Sequence, residues 1–271
     1  MATATRSLRT KLWRLEALAE ARRVAPVLEA LRADPLAVMT RAGLTPDDWQ
    51  RQVLEADAER MLLLCGRQCG KSFVSAALAL RTALLRPRSP VLLLSPSLRQ
   101  SGELFRKILN LFNALDRPVA VRAESALRVE FANGSRILLL PGKENTIRGF
   151  SDVALLVIDE AARVPDALYY SVRPMLAVSQ GRLVALSTPF GKRGFFYEEW
   201  HGGGDWRRVR INADQCPRIP REFLAEERRA LGERYYRQEY QTSFEDTIDA
   251  VFADEDIQAA LCDDVQPLFG E

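Results

Sequence analysis

At 271 residues, 47% of them hydrophobic and 27% charged, the chain can bury one large α/β core, or a core with a small satellite domain, and has the composition of an ordinary globular protein. No apolar run approaches the roughly 18–20 residues that cross a bilayer, which excludes a membrane span, and the Arg-rich start "MATATRSLRTKLWRLEALAEARR" carries Glu16 and Glu20 without an apolar stretch, which argues against a signal or transit peptide. A formal net charge of +2 does not announce a nucleic-acid partner, and although nearly all the cations are arginine, which suits bidentate phosphate contacts, a GC-rich genome would leave the same bias.

From Ser7 to about Val24, Leu8, Leu12, Leu15, Leu18 and Ala19 recur at helical spacing and predict an amphipathic helix. Pro26 is expected to end or kink it, with a short helical segment following up to Asp34-Pro35. In "GLTPDDWQRQVLEA", Thr45 is expected to cap a helix that starts with Pro46. Four apolar runs then alternate with helical patterns: "MLLLC" (61–65), "VLLLS" (91–95), "LLVID" (155–159) and "LVALS" (183–187). Such runs are the signature of parallel strands covered on both faces. "LRVEFANGSRILLLPG" interrupts them, with Asn133-Gly134 as the turn of an antiparallel hairpin. From Pro220 onward charged helical patterns suggest a small helical subdomain. The expected division is a helical extension over 1–43, an α/β core over 44–204, and a lid subdomain with linker over 205–271.

The chemistry starts at "LLLCGRQCGKS", residues 62–72, which nearly matches the phosphate-binding pattern G-x-x-x-x-G-K-[ST], with Cys65 where the first glycine belongs. Such a loop wraps phosphate oxygens with backbone N–H groups, places a lysine on the β- and γ-phosphates and a hydroxyl on magnesium. Gly66, Arg67, Gln68, Cys69 and Gly70 would form the wrap, Lys71 and Ser72 the last two groups. A chance G-K-S in a loop is common, but this one falls between a predicted strand and a predicted helix, whose dipole favours an anion. In "ALLVIDEA" a buried strand then delivers Asp159 and Glu160 to the carboxyl edge of the sheet. Asp159 there can hold magnesium and Glu160 can deprotonate an attacking water. Ordinary solvated acids at a strand end are the bland alternative, and the two motifs in the right order weigh against it. Cys65, Cys69, Cys216 and Cys262 form no C-x-x-C pair and read as reduced, mostly buried thiols; His201, the single histidine, reads as a solvated loop residue.

The stretch from about Leu44 to Ile257 resembles the ATPase half of the large terminase subunit of tailed bacteriophages, the motor that packs double-stranded DNA into empty capsids. That family has a variant phosphate loop with Arg-Gln at its second and third variable positions, which Arg67-Gln68 fits. Cys65 is then a permitted deviation, because a strand residue with negative φ needs no glycine. "PDDWQ" resembles the family's adenine motif, with Gln50 reading the base and Trp49 packing nearby, although Trp49 also reads as an apolar-face residue. "LSTP" resembles the coupling motif, with Ser187 and Thr188 sensing the γ-phosphate, and "TIRGFS" resembles the R-G loop that contains Arg148.

The resemblance implies an α/β P-loop NTPase of the RecA-like, ASCE type: a mainly parallel sheet flanked by helices, a hairpin insertion and a C-terminal helical lid. It implies ATP and Mg2+ as cofactors, Arg148 or Arg67 as an arginine finger, and double-stranded DNA as partner. It further implies a homo-oligomeric ring on the procapsid portal, a small terminase subunit, no membrane, and the host cytoplasm as location. Full-length members continue into a nuclease domain; too little chain follows "DAVFADEDI" for that, so Asp246, Asp249, Asp254 and Asp256 read as a solvated linker and no nuclease activity is expected. A helicase or translocase acting outside packaging is the alternative, but after residue 211 no second pair of buried strands suggests another RecA-like lobe. A GTPase would need N-K-x-D; a metabolic kinase or a non-catalytic ATP-binding scaffold should be indifferent to duplex DNA.

Overall fold

The structure, a computed structural model, describes residues 24–141 and 149–246. The helix expected ahead of Val24, Arg148, Cys262 and the acids Asp249, Asp254 and Asp256 lie outside the described residues. The chain is helical over 24–33, ahead of Asp34-Pro35. It then forms the short helix α1 (Ala37–Thr40), α2 (Asp48–Glu55), β1 (Arg60–Cys65), α3 (Lys71–Leu85), β2 (Pro90–Ser95) and α4 (Leu98–Ala114). Three strands follow, β3 (Val121–Ser125), β4 (Arg128–Phe131) and β5 (Arg136–Pro141). The rest is β6 (Leu155–Asp159), α5 (Asp166–Val172), β7 (Arg182–Ser187), α6 (Gly194–His201), β8 (Arg207–Ile211) and α7 (Arg221–Tyr240).

All four apolar runs are strands, and their side chains explain why. On β1, Met61, Leu63 and Cys65 join one buried cluster, while Leu62 and Leu64 join another. Successive side chains point to opposite faces, so both faces of the strand need an apolar cover. Side chains of α3 and α4 supply it on one face, and those of α5 and α6, where Tyr169 stacks on Phe195 at 3.9 Å, on the other. Burying a leucine side chain on such a strand stabilises the fold by roughly 1.5–3 kcal/mol.

The strands form one eight-stranded sheet in the order β3-β4-β5-β2-β6-β7-β1-β8. From β5 to β8 neighbours are parallel, and β3-β4-β5 are antiparallel. This is the expected α/β P-loop architecture of the ASCE type: β7 lies between the phosphate-loop strand β1 and the carboxylate strand β6. The register places Leu64 opposite Ser187 and Asp159 opposite Leu186, so the carboxyl ends of β1, β6 and β7 meet at one edge.

Local differences have physical reasons. Asp47, not Thr45, is the N-cap of α2, two residues beyond the expected start. The Asn133-Gly134 turn is present, with Gly134 at φ 83°, and the Asn133 amide also donates to Ala83 O at 2.9 Å, tying the turn to α3. The third antiparallel strand, β3, is mostly exposed and showed no apolar alternation to read. The α/β core also extends past the expected boundary at 204, because β8 pairs with β1; Arg207, Arg208 and Arg210 gave that strand a polar look. The kink in α7 sits at Gly232, whose φ of 75° and ψ of 163° are non-helical. His201 closes a helix rather than sitting in a loop, and it is exposed. Among the described residues no helix is long and apolar enough to cross a membrane.

The turn into β7 is held against the residue that leads into β6: the Ser179 hydroxyl donates to Val153 O at 2.6 Å. A Cβ on Gly181 would come 2.0 Å from that same backbone oxygen. Gly181→Ala is therefore expected to lower the urea midpoint by an amount equal to at least about 2 kcal/mol. Gly203→Ala, with nothing within 4 Å of the new atom, should stay within about 0.5 kcal/mol of wild type. Equal midpoints for the two variants would contradict this account of the turn.

Candidate active site

The phosphate-loop segment leaves β1 at Cys65 and enters α3 at Lys71. Cys65 is fully buried and is not in the left-handed region, and its burial pushes the thiol up to about 12, with Lys71 opposing the shift. Such a thiol is an inert packing group, and a strand residue needs no glycine there. Gly70 does need to be glycine. Its φ is 89°, and a Cβ would lie 2.7 Å from Gln50 Nε2 and 2.9 Å from Arg218 Nη2. The Gly66 N–H donates to Ile211 O at 2.8 Å and the Arg67 N–H to Glu239 O at 2.7 Å, so the start of the loop is fastened to β8 and to the end of α7. Beside the loop opens a cleft of about 980 Å³ whose lining includes Gln50, Gly70, Lys71, Ser72, Glu160 and Arg218.

The carboxylates stand at the end of β6. Glu160 takes a left-handed conformation, φ 51° and ψ 44°, which starts the 3-10 turn Ala161–Arg163 and folds Arg163 back over it. Glu160 Oε1 lies 3.6 Å from Lys71 Nζ, and Arg163 Nη1 donates to Glu160 Oε2 at 3.1 Å. Arg163 Nη1 also donates to Thr188 Oγ1 at 3.0 Å, and its Nη2 lies 3.7 Å from Glu239 Oε1. Glu239 in turn lies 2.8 Å from Arg67 Nε; the contact is an ion pair without the alignment of a hydrogen bond. Lys71, Glu160, Arg163, Glu239 and Arg67 thus form a chain of alternating charge from the phosphate loop through the carboxylate to the lid helix and back.

Asp159 is buried, and its carboxyl is pushed up to about 6, first by that burial and then by the neighbouring Glu160 charge; Lys71 and the Glu160 N–H work against the shift. A carboxylate raised in this way lacks sufficient positive charge, which a divalent cation would supply; Ser72, in the first turn of α3, offers a hydroxyl on the lining of the cleft. The donor set of one carboxylate and one hydroxyl, with the remaining positions left to water and phosphate, fits Mg2+. No group of three or more His, Cys, Asp or Glu that could hold a metal occurs among the described residues.

Gln50 is buried, and its Oε1 accepts the Asp47 N–H at 2.9 Å, which leaves its Nε2 facing Gly70. Trp49 is buried in the core and does not line the cleft. Ser187 and Thr188 are buried at the end of β7, and Thr188 reaches Glu160 only through Arg163. Arg67 remains 63% exposed. The three described cysteines are free and buried.

Sequence reasoning missed four residues here. Arg163 was legible in principle, three places after Glu160 on a turn. Glu239 and Arg218 lie on distant segments, and nothing in their surroundings marks them. Lys107 lines the cleft from α4, its Nζ 5.2 Å from the Phe73 ring centroid.

The sheet order, the glycine-capped loop and the paired carboxylates define a P-loop NTPase of the ASCE class. Residues 62–259 match the family described as terminase large subunit, T4likevirus-type, N-terminal, and the chain belongs to that family. It is 26% identical over 220 residues to the terminase large subunit of Escherichia phage T5, a match that covers 76% of this chain and 50% of that protein. It is 24% identical over 261 residues to the terminase large subunit of Thermus phage G20c, covering 81% of this chain and 53% of that protein. The chain spans about half the length of the curated relatives it matches. Among solved structures, the large terminase ATPase domain of Thermus phage P74-26 superposes with a TM-score of 0.68 at 23% identity, covering 76% of this chain and 96% of that one. The large terminase of a second thermophilic bacteriophage, in complex with ATP-γ-S, gives 0.60 at 15% identity, covering 73% and 52%. At these identities the likeness shows a shared fold.

The Asp159 shift makes a pH prediction. With a folded value of about 6 against an ordinary 3.8, the folded chain holds a proton that the unfolded chain has lost between those values. The contribution of Asp159 to the stability of the metal-free protein should therefore fall by on the order of 3 kcal/mol as pH rises through that window and stay level above it. Asp159→Asn should abolish this component and be the more stable form at pH of about 7. Urea melts of both proteins across the window test it; parallel pH profiles would refute the assignment.

Proposed function

We propose that the chain hydrolyses ATP and uses the released energy to drive double-stranded DNA into a procapsid, as one subunit of a homo-oligomeric ring on the portal, in the host cytoplasm and alongside a small terminase subunit. The observation that carries this reading is the 3.6 Å approach of Glu160 to Lys71 at the mouth of the phosphate loop, within the terminase family fold. The triphosphate would lie on the backbone amides at the start of α3, with Lys71 on its β- and γ-oxygens. Gln50 would meet the adenine. Mg2+, held by Ser72 and Asp159, would supply charge to the phosphate oxygens.

Glu160 takes a proton from a water whose oxygen attacks the γ-phosphorus, and the bond to the bridging oxygen breaks to leave ADP and phosphate. Thr188, joined to Glu160 through Arg163, would pass the change at the carboxylate to β7. Contact with DNA would be to the phosphate backbone, which is independent of sequence. Nuclease activity is not part of this reading.

Lys71→Ala should abolish ATP turnover, because it removes the principal charge on the transferring group. Glu160→Gln should still bind nucleotide but hydrolyse it about 10²–10⁴-fold more slowly. A steady-state phosphate-release assay with and without duplex DNA decides between motor and scaffold: stimulation by DNA is expected, and indifference to it would sink the translocase reading.

For the arginine finger the candidates are Arg67, at the phosphate loop, and Arg148. If Arg148 acts across the ring, mixing inactive Glu160→Gln and Arg148→Ala proteins should restore activity through mixed interfaces. Wild-type turnover by assembled Arg148→Ala would leave Arg67 as the finger.

A further inference from the structure

Three segments far apart in sequence converge on the last peptide of the phosphate loop: the start of α2, the loop itself, and the stretch between β8 and α7. Arg218 joins them. Its Nη1 donates to Asp47 Oδ1 at 2.6 Å and its Nη2 to Cys69 O at 3.3 Å. The space over Gly70 is flanked by Arg218 Nη2 and Gln50 Nε2, at 2.9 and 2.7 Å from where a Cβ would stand. Leu44, Pro46 and Pro217 line the same cleft.

A surface ion pair is the plain alternative, and the arrangement argues against it. The Asp47 side chain is only 9% exposed while Arg218 remains 48% exposed, so one edge of the guanidinium is pinned and part of the group stays open. Asp47 also offsets much of the arginine's charge, which makes Arg218 a poor phosphate ligand. What remains is a flat, weakly hydrated cation in a cleft that Leu44, Pro46 and Pro217 also line, and a guanidinium plane suits the face of an aromatic ring.

We propose that Arg218 is a substrate-binding residue that lays its guanidinium plane against the purine of the bound nucleotide, with Asp47 and the Cys69 carbonyl fixing the plane and Gln50 reading the ring edge. The inference rests on the cleft being the ATP site. It divides the labour within that cleft: Lys71 and the loop amides hold the phosphates, and Arg218 with Gln50 holds the nucleoside.

Isothermal titration in the presence of magnesium, comparing ATP and ADP with inorganic tripolyphosphate, separates these contributions. Arg218→Ala should weaken ATP and ADP about tenfold, while tripolyphosphate binding changes by less than about twofold. Arg218→Lys should not restore the loss, because an ammonium has no plane to stack. The double variant Asp47→Asn with Arg218→Ala removes the stranded carboxylate and should show the same nucleotide loss, which guards against a folding artefact.

Equal weakening of tripolyphosphate would make Arg218 a phosphate ligand and overturn the proposal. Unchanged ATP and ADP affinity, or full rescue by lysine, would reduce it to a surface ion pair. Failure of the underlying reading looks different: wild type would bind no nucleotide, or Lys71→Ala would bind it normally.

Discussion

The Glu160 carboxylate lies between two cations, Lys71 at 3.6 Å and Arg163 at 3.1 Å, and the rest of the architecture serves to hold those three groups together. Each comes from a different place: the helix that follows β1, the end of β6, and the turn beyond it. Partly buried charges are stable only when paired and hydrogen-bonded. The left-handed Glu160 backbone is the local cost of that pairing, on the order of 1–3 kcal/mol for a residue without glycine's freedom. It reverses the chain sharply enough for Arg163, three residues on, to reach back.

The sheet order makes this arrangement possible. Because β7 separates β1 from β6, the phosphate loop and the carboxylates are one strand apart rather than adjacent, and the intervening strand end can carry groups that touch both. Thr188 follows the end of β7 and accepts from Arg163. Had β6 paired directly with β1, the end of β7 would lie outside this contact. The apolar cover on both faces of the sheet fixes the register, since a slip by one residue would exchange the two clusters served by alternate side chains of β1.

The sequence made the fold legible wherever period and punctuation agreed. The four buried strands, the Asn133-Gly134 turn and the glycine before Lys71 each rest on a local rule, and each is where it was expected. β3 and β8 escaped notice because edge strands are wetted: Arg207, Arg208 and Arg210 look like loop residues until pairing is known. Within the candidate site, Lys71, Ser72, Asp159 and Glu160 were singled out by motifs of fixed spacing and Gln50 by the resemblance of "PDDWQ" to the adenine motif. Glu239 and Arg218 could not be, since Glu239 is 79 places from Glu160 and a glutamate among the charges of α7 resembles any solvated acid. Only tertiary placement separates it from its neighbours.

The outer part of the charge chain behaves differently from the inner part. Arg67 is 63% exposed, but its partner Glu239 is only 11% exposed, so the pair is solvated on the arginine side alone. Arg163 and Glu160 are 29% and 19% exposed, so removing either would strand a partner that water screens less well. If Arg67 swings to an anion in the cleft, Glu239 keeps Arg163 Nη2, 3.7 Å away, as its remaining cation, whereas Glu160 and Arg163 stay together. Glu239 is the next-to-last residue of α7, and its own carbonyl accepts the Arg67 N–H. The end of the helix is thus held to the phosphate loop by one backbone bond and one side-chain pair. A ligand that draws Arg67 away weakens only the second. Coupling between cleft and lid can run through this half-buried pair or through Arg163, whose guanidinium touches the carboxylate, the strand end and the lid at once.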